Sequence, residues 1–223
     1  MSQAVIFDMD GTLFQTEKIL ELALEDTFQL MRSKGEWEGT TPIEQYREIM
    51  GVPLPEVWDT LLPAHSDELK RVVDAYFLER LVENIHAGSG ALYPGVEDAM
   101  EFLVENQFSI YIASNGLRKY LHAIVQHYKL DRWVTETFSI EQIASPHKSD
   151  LVCEILKKHA ITSGAVVGDR LSDIKAAKEN ALLAIGCHFD FAKEEEMVQA
   201  DFVVYDLRDV KQVLFETMSI ETR

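Results

Sequence analysis

The chain has 223 residues, 47% of them hydrophobic, and 38 Asp and Glu against 21 Lys and Arg give a formal charge of −17. This balance excludes a disordered chain, and the acidic excess excludes a nucleic-acid polymer or an anionic membrane as the main partner, because both reward Lys and Arg. No apolar run approaches the ~18–20 residues that span a bilayer. The first residues enter a strand-like run without a basic, apolar leader, so no signal peptide is expected and the expected location is the cytoplasm. Two cysteines, Cys153 and Cys187, cannot form a disulfide framework and are expected as small core residues. So many carboxylates are either solvated or gathered around a metal.

Ala4-Val5-Ile6-Phe7 is a short apolar run, the pattern of a buried parallel strand. From Thr16 to Met31 apolar residues recur at three and four, which predicts a helix. Thr41-Pro42 opens a second helix, broken at Gly51-Val52-Pro53; Pro55 to Leu62 predicts a third and Ser66 to His86 a fourth. After Gly88-Ser89-Gly90 the texture changes. Helices at 94–106, 117–128, 148–159 and 171–180 alternate with strands at 108–113, 134–139, 165–167, 182–186 and 202–204, before a last helix. Such alternation predicts βαβ units and a parallel sheet. The fold class is therefore α/β, with the helical block 16–88 inserted after the first strand of a core formed by 1–15 and 89–223. Glu194-Glu195-Glu196 is expected as a solvated helix face.

Four short segments carry candidate chemistry. Asp8-Met9-Asp10-Gly11-Thr12 ends the first strand, where ligands of open α/β sheets bind. Two carboxylates one residue apart point the same way from an extended backbone, a crowding that favours a cation or a retained proton. A polar turn built on Gly11 is the plainer alternative. Ser114-Asn115-Gly116 follows a second strand and precedes a helix, which suits either an anion site or simple helix capping. Lys148 opens a later helix. Gly168-Asp169 and Asp173 bracket a strand end and helix start, where capping and oxygen ligation of Mg²⁺ both use Asp.

Taken in this order, the four segments resemble the motifs of the haloacid dehalogenase superfamily of aspartate-nucleophile phosphohydrolases. The resemblance covers nearly the whole chain, since 16–88 falls where that superfamily inserts its helical cap; phosphoglycolate phosphatases and β-phosphoglucomutases carry similar caps. It implies a Rossmann-like parallel-sheet core with an inserted helical bundle. It implies a phosphatase acting on a small phosphorylated metabolite, with Asp8 as nucleophile, Asp10 as general acid and base, and Lys148 offsetting their charge. Mg²⁺ would be held by Asp8, the main-chain carbonyl of Asp10, and Asp169, with Asp173 supporting the metal or orienting Lys148. Ser114, Asn115, Gly11 and Thr12 would hold the phosphoryl oxygens.

The superfamily's dehalogenases lack an acid/base carboxylate where Asp10 stands. Its sugar phosphomutases usually carry Val in place of Thr12 and His in place of Leu20, so a phosphatase is expected ahead of a mutase or a catalytically silent phospho-ligand binder. Three departures stand out: Gln15 occupies a place often held by Asp, Pro146-His147-Lys148 replaces a common Lys-Pro-x-Pro arrangement, and Ala181 replaces a frequent Gly. For the last, Asn180 is expected to adopt the left-handed cap conformation. Arg47, Gly51 and Val52 resemble a cap loop that points into the cleft, and Glu17, Lys18 and Arg118 are further candidates to reach the leaving group. Trp37, Trp58, Tyr46 and Phe14 are expected either to stack a base or to fill the core. A monomer or a homodimer is expected.

Overall fold

Ala4 to Phe7 lie almost fully buried in the central strand β1 (Gln3–Phe7) of a computed structural model that describes residues 3–49, 52–190 and 192–218. β1 pairs with β2 (Ser109–Ser114) on one side and β4 (Ser163–Gly168) on the other. With β3 (Glu136–Ser139), β5 (Leu183–Cys187) and β6 (Phe202–Val204) the sheet runs β3-β2-β1-β4-β5-β6, and every pairing is parallel. Register aligns Phe7 with Ile112 and with Val167. Asp8, Ser114 and Asp169 therefore leave the sheet at one edge, the carboxyl ends of three neighbouring strands.

Helices α1 (Glu17–Ser33), α2 (Ile43–Glu48), α3 (Leu54–Leu61) and α4 (Asp67–His86) lie between β1 and β2, as the helical block predicted. Ser66 caps α4 by accepting the Leu69 N–H at 3.2 Å. The buried stripe Val73, Phe77, Leu81 and Ile85 then repeats at helical spacing and faces α1, whose own stripe is Leu20, Ala23, Leu24, Phe28 and Met31. The Asn84 amide donates to the Ile19 carbonyl at 3.3 Å and ties the two helices together.

The connections in the rest of the chain are α5 (Val96–Glu105) into β2, α6 (Arg118–His127) to β3, α7 (Lys148–Lys158) to β4, α8 (Leu171–Glu179) to β5, α9 (Glu194–Met197) to β6, and the terminal α10 (Val210–Thr217). One sheet face, with Val5, Phe7, Ile110 and Val167, shares a continuous apolar core with α5, α6, α10 and the inserted helices. The other face, with Ile6, Tyr111 and Val166, packs against α7 and α8. Trp58 and Phe14 are fully buried members of this packing rather than exposed stacking platforms, and Trp37 packs edge-on against Phe28.

Three expectations are corrected. Asn180 keeps φ −103° and Ala181 takes the left-handed conformation, φ +54°. The reason is the Asn180 side chain, whose amide donates to Ser149 and Ala176 carbonyls at 2.9 Å each and holds the residue at the helix end. Gln107, Lys129 and Ala160 repeat that left-handed turn, each two residues beyond its helix. Cys187 is a buried core residue, but Cys153 is only half-buried, because it lies on the outer side of α7. Glu194 and Glu195 are exposed as expected, whereas Glu196 turns inward, accepts the Leu171 N–H at 2.7 Å and so caps α8.

Candidate active site

Asp8 is the first residue beyond β1, and its N–H still bonds the Val167 carbonyl at 2.9 Å, so the sheet ladder sets its position. Lys148, at the first turn of α7, reaches Asp8 at 2.6 Å and Asp173 at 2.5 Å. Asp173 sits in the first turn of α8, which packs beside α7, and its second oxygen accepts the Arg170 N–H at 3.1 Å. One carboxylate oxygen from each of Asp8, Asp169 and Asp173 lies within 4.8 Å of the others, and all three side chains are buried. Asp169 accepts the Thr12 hydroxyl at 3.1 Å.

Two glycines make room for this crowding. Gly11 has φ +75°, and a Cβ there would stand 2.4 Å from Asp169 Oδ2. A Cβ on Gly168 would stand 2.2 Å from the Asp173 carboxyl carbon. Any side chain at either position displaces an acid of the cluster.

The charge balance is the main electrostatic fact. Three buried carboxylates face a single ammonium, so full ionisation leaves the cluster at 1 − 3 = −2. Burial, reinforced by Asp173 and Asp10 and opposed by Lys148, pushes the Asp8 carboxyl up to about 7. Burial together with Asp8 and Asp173 holds Asp169 well above the usual carboxylate range. Burial works against the charge of Lys148, but Asp173 and Asp8 outweigh it and raise the ammonium above its ordinary value. Hard oxygen donors with two unbalanced negative charges are the donor set that a divalent cation such as Mg²⁺ fits.

Asp10 behaves differently although it is two residues from Asp8. Its carboxylate is not one of the three in the cluster, and Oδ1 accepts the Thr16 hydroxyl at 2.6 Å and the Tyr120 hydroxyl at 2.5 Å. Burial raises its pKa and these two donors oppose the rise. Asp10, Thr16 and Tyr120 line a cavity of about 70 Å³ whose other lining residues include Tyr46 and Val52 of the inserted block.

Ser114 ends β2, buried, and accepts the Gly116 N–H at 2.9 Å. Ser139 at the end of β3 donates to the Gly116 carbonyl at 2.7 Å and pins this turn. Asn115 and Gly116 reach the same cavity as Asp10.

The predicted site residues thus separate into two sets. Asp8, Thr12, Lys148, Asp169 and Asp173 form one connected cluster, with Ser114 at the same sheet edge. Arg47 instead bonds Glu17 at 2.8 Å, Glu44 at 2.6 Å and Glu21, all within the inserted block. Lys18 and Arg118 are exposed. Val52 lines the cavity, and Gly51 lies outside the described residues. Sequence reading missed Tyr120, Ser139 and the role of Thr16. A Tyr one helical turn beyond Ser114-Asn115-Gly116 is its only trace in the sequence, because its partner Asp10 is 110 residues away.

A family model described as haloacid dehalogenase-like hydrolase matches residues 3–180. The pyrophosphatase PpaX of Listeria monocytogenes is 23% identical over 215 residues, covering 94% of this chain and 95% of that protein. A 5′-nucleotidase of Pseudomonas aeruginosa is 23% identical over 223 residues, covering 94% of each. Among solved structures, CbbY from Rhodobacter sphaeroides in complex with phosphate superposes with a TM-score of 0.80 at 20% identity, over 94% of this chain and 96% of that one. No helix among the described residues is long and apolar enough to cross a membrane. The parallel sheet, the helical insertion after its first strand and the match over residues 3–180 together place this chain in the haloacid dehalogenase-like hydrolase family.

Proposed function

We propose that this protein is a Mg²⁺-dependent phosphatase that hydrolyses a small phosphorylated metabolite through an aspartyl-phosphate on Asp8. One observation carries the reading: two aspartates of one strand end, both raised by burial, have different partners. Asp8 is paired with Lys148 at 2.6 Å inside the acid cluster, while Asp10 is held by Thr16 and Tyr120 at the cavity. Pairs of titratable groups with separated environments mark nucleophile and acid/base roles. The names of the relatives, a pyrophosphatase and a 5′-nucleotidase, support hydrolysis at phosphorus, of an anhydride in one and an ester in the other.

In the proposed reaction a carboxylate oxygen of Asp8 attacks phosphorus in line, and the bond to the leaving oxygen breaks. Asp10 gives its proton to that oxygen. Asp10 then takes a proton from the water that attacks the aspartyl-phosphate, which releases phosphate and restores Asp8. Lys148 favours the ionised form of Asp8 and offsets the charge that gathers beside the phosphoryl group. Ser114, Asn115, Gly11 and Thr12 hold the phosphoryl oxygens. Asp8, Asp169 and the main-chain carbonyl of Asp10 would hold Mg²⁺, with Asp173 fixing Lys148 beside them. When bound, the ion supplies Lewis-acid polarisation and cancels the excess negative charge of the cluster.

Residues 16–88 act as the cap over the core of 1–15 and 89–223, and exclude water from the cavity. Leu20 in the cavity wall has no group that transfers a proton, which favours hydrolysis over a mutase cycle. Hydrolysis of an aryl phosphate with Mg²⁺ tests the reading. The expected result is turnover that chelator removes and that Asp8→Asn abolishes. Absence of turnover across a panel of phosphate esters, with no phosphorylated Asp8 detectable, overturns it.

A further inference from the structure

The cavity beside Asp10 has a composition that the phosphatase reading does not require. Its walls are Leu20, Val52, Leu54, Leu78, Leu81 and Leu117, with Tyr46 and Tyr120 adding ring surface. No Lys, Arg or His is among the described lining residues. The cations that a second anionic group would seek are not offered by this cavity: Lys18 and Arg118 are exposed and are not among its lining residues. Arg47 is bound by Glu17, Glu21 and Glu44, and Lys148 by Asp8 and Asp173. Among the described lining residues the only carboxyl is that of Asp10, which offers no positive charge to a negative leaving group.

We infer that the leaving group is an uncharged, largely apolar alcohol, and that Leu78, Leu81 and Val52 select it against carboxylated or doubly phosphorylated esters. This rests on the phosphatase reading and narrows its substrate class. The physical reason is desolvation. An anion moved into an apolar cavity without a partner loses its hydration and gains nothing in return. An apolar group of the same shape instead buries hydrocarbon surface against leucine side chains. Only the ester oxygen needs a polar partner, and Asp10 in the cavity wall can supply it.

Two phosphonates of equal shape, which contain no hydrolysable P–O–C bond, test the selection by calorimetric titration of the full chain with Mg²⁺. One is 3-methylbutylphosphonate and the other 2-carboxyethylphosphonate. The branched alkyl compound is expected to bind about tenfold tighter or better, a difference of about 1.4 kcal/mol. Leu78→Arg, at a half-buried position, is expected to reduce or reverse that ratio while still binding inorganic phosphate. Equal affinities, a preference for the carboxylate, or no binding of the alkyl phosphonate overturn the inference. Hydrolysis separates it from the parent reading. If 3-methylbutylphosphonate binds as expected but its phosphate ester is not cleaved, the pocket assignment stands and the phosphatase reading fails. If carboxylated esters are the better substrates, the phosphatase reading stands and the pocket assignment fails.

Discussion

The Tyr120 hydroxyl donates to Oδ1 of Asp10 at 2.5 Å, and Thr16 donates to the same oxygen at 2.6 Å. One residue comes from the first turn of α6 and the other precedes α1, so the acid/base candidate is clamped between the core and the inserted helices. Both donors favour the ionised carboxylate and oppose the effect of burial. Removing one by Tyr120→Phe should raise the Asp10 pKa further. The alkaline limb of kcat/KM then moves to higher pH, and kcat falls about tenfold through lost positioning. The Mg²⁺ concentration for half-activity should stay within about twofold, because the Asp10 carboxylate is outside the acid cluster. A pH–rate profile and a Mg²⁺ titration check this; an unmoved limb contradicts it.

Proton linkage and metal binding should be visible together. Burial pushes the Asp8 carboxyl up to about 7, against about 3.9 when unfolded. Between those values the folded state binds more protons, so stability is present at low pH and lost as pH rises through the window. Mg²⁺ must displace these protons, so it stabilises more at high pH. The rise in Tm on adding Mg²⁺ to chelated protein is expected to be larger at pH 8 than at pH 5.5. Equal increments would show that Asp8 does not carry the linkage.

Lys148→Met should be strongly destabilising in the metal-free protein. It leaves the buried Asp8 and Asp173 without their shared cation, a loss of about 3–5 kcal/mol. Adding Asp173→Asn removes one of the stranded charges, so the double variant should recover part of that loss. Urea melts of the four proteins measure the coupling, and strict additivity would sink this account of the cluster.

Gly11→Ala is expected to fold with reduced stability, at a cost of roughly 1–2 kcal/mol for left-handed backbone. It should also weaken Mg²⁺-dependent activity by at least about tenfold, because the new methyl displaces Asp169. Activity restored to the wild-type level at saturating Mg²⁺ would be consistent with this reading. Unchanged Mg²⁺ dependence would not.

Ala181→Gly is predicted to stabilise. Ala181 holds φ +54° beyond α8, a conformation that Gly adopts without strain, and the gain should be about 0.5–1 kcal/mol. Thermal melts should show Tm higher by a few degrees, roughly 1–4 °C, with catalysis untouched. An unchanged or lower Tm would mean that the turn is not strained.

The periodicity of apolar residues was enough to define the α/β class, the helical block after the first strand and nearly every element boundary, because burial imposes period 2 or 3.6 directly on the chain. The Asp8-x-Asp10 pair, Lys148, Asp169 and Asp173 were legible for a related reason: each stands at a strand or helix end that local sequence marks. Which carboxylates meet was not legible. That Asp8 and Asp173 share one ammonium beside Asp169 while Asp10 turns to Tyr120 depends on strand register and on how α6, α7 and α8 pack. The same holds for the apolar cavity and for the pairing of Arg47 with Glu17, Glu21 and Glu44. Contacts across 65 or 110 residues leave no local pattern. They exist only once the sheet has brought its strand ends to one edge, and at that edge the positions of the charges are decided.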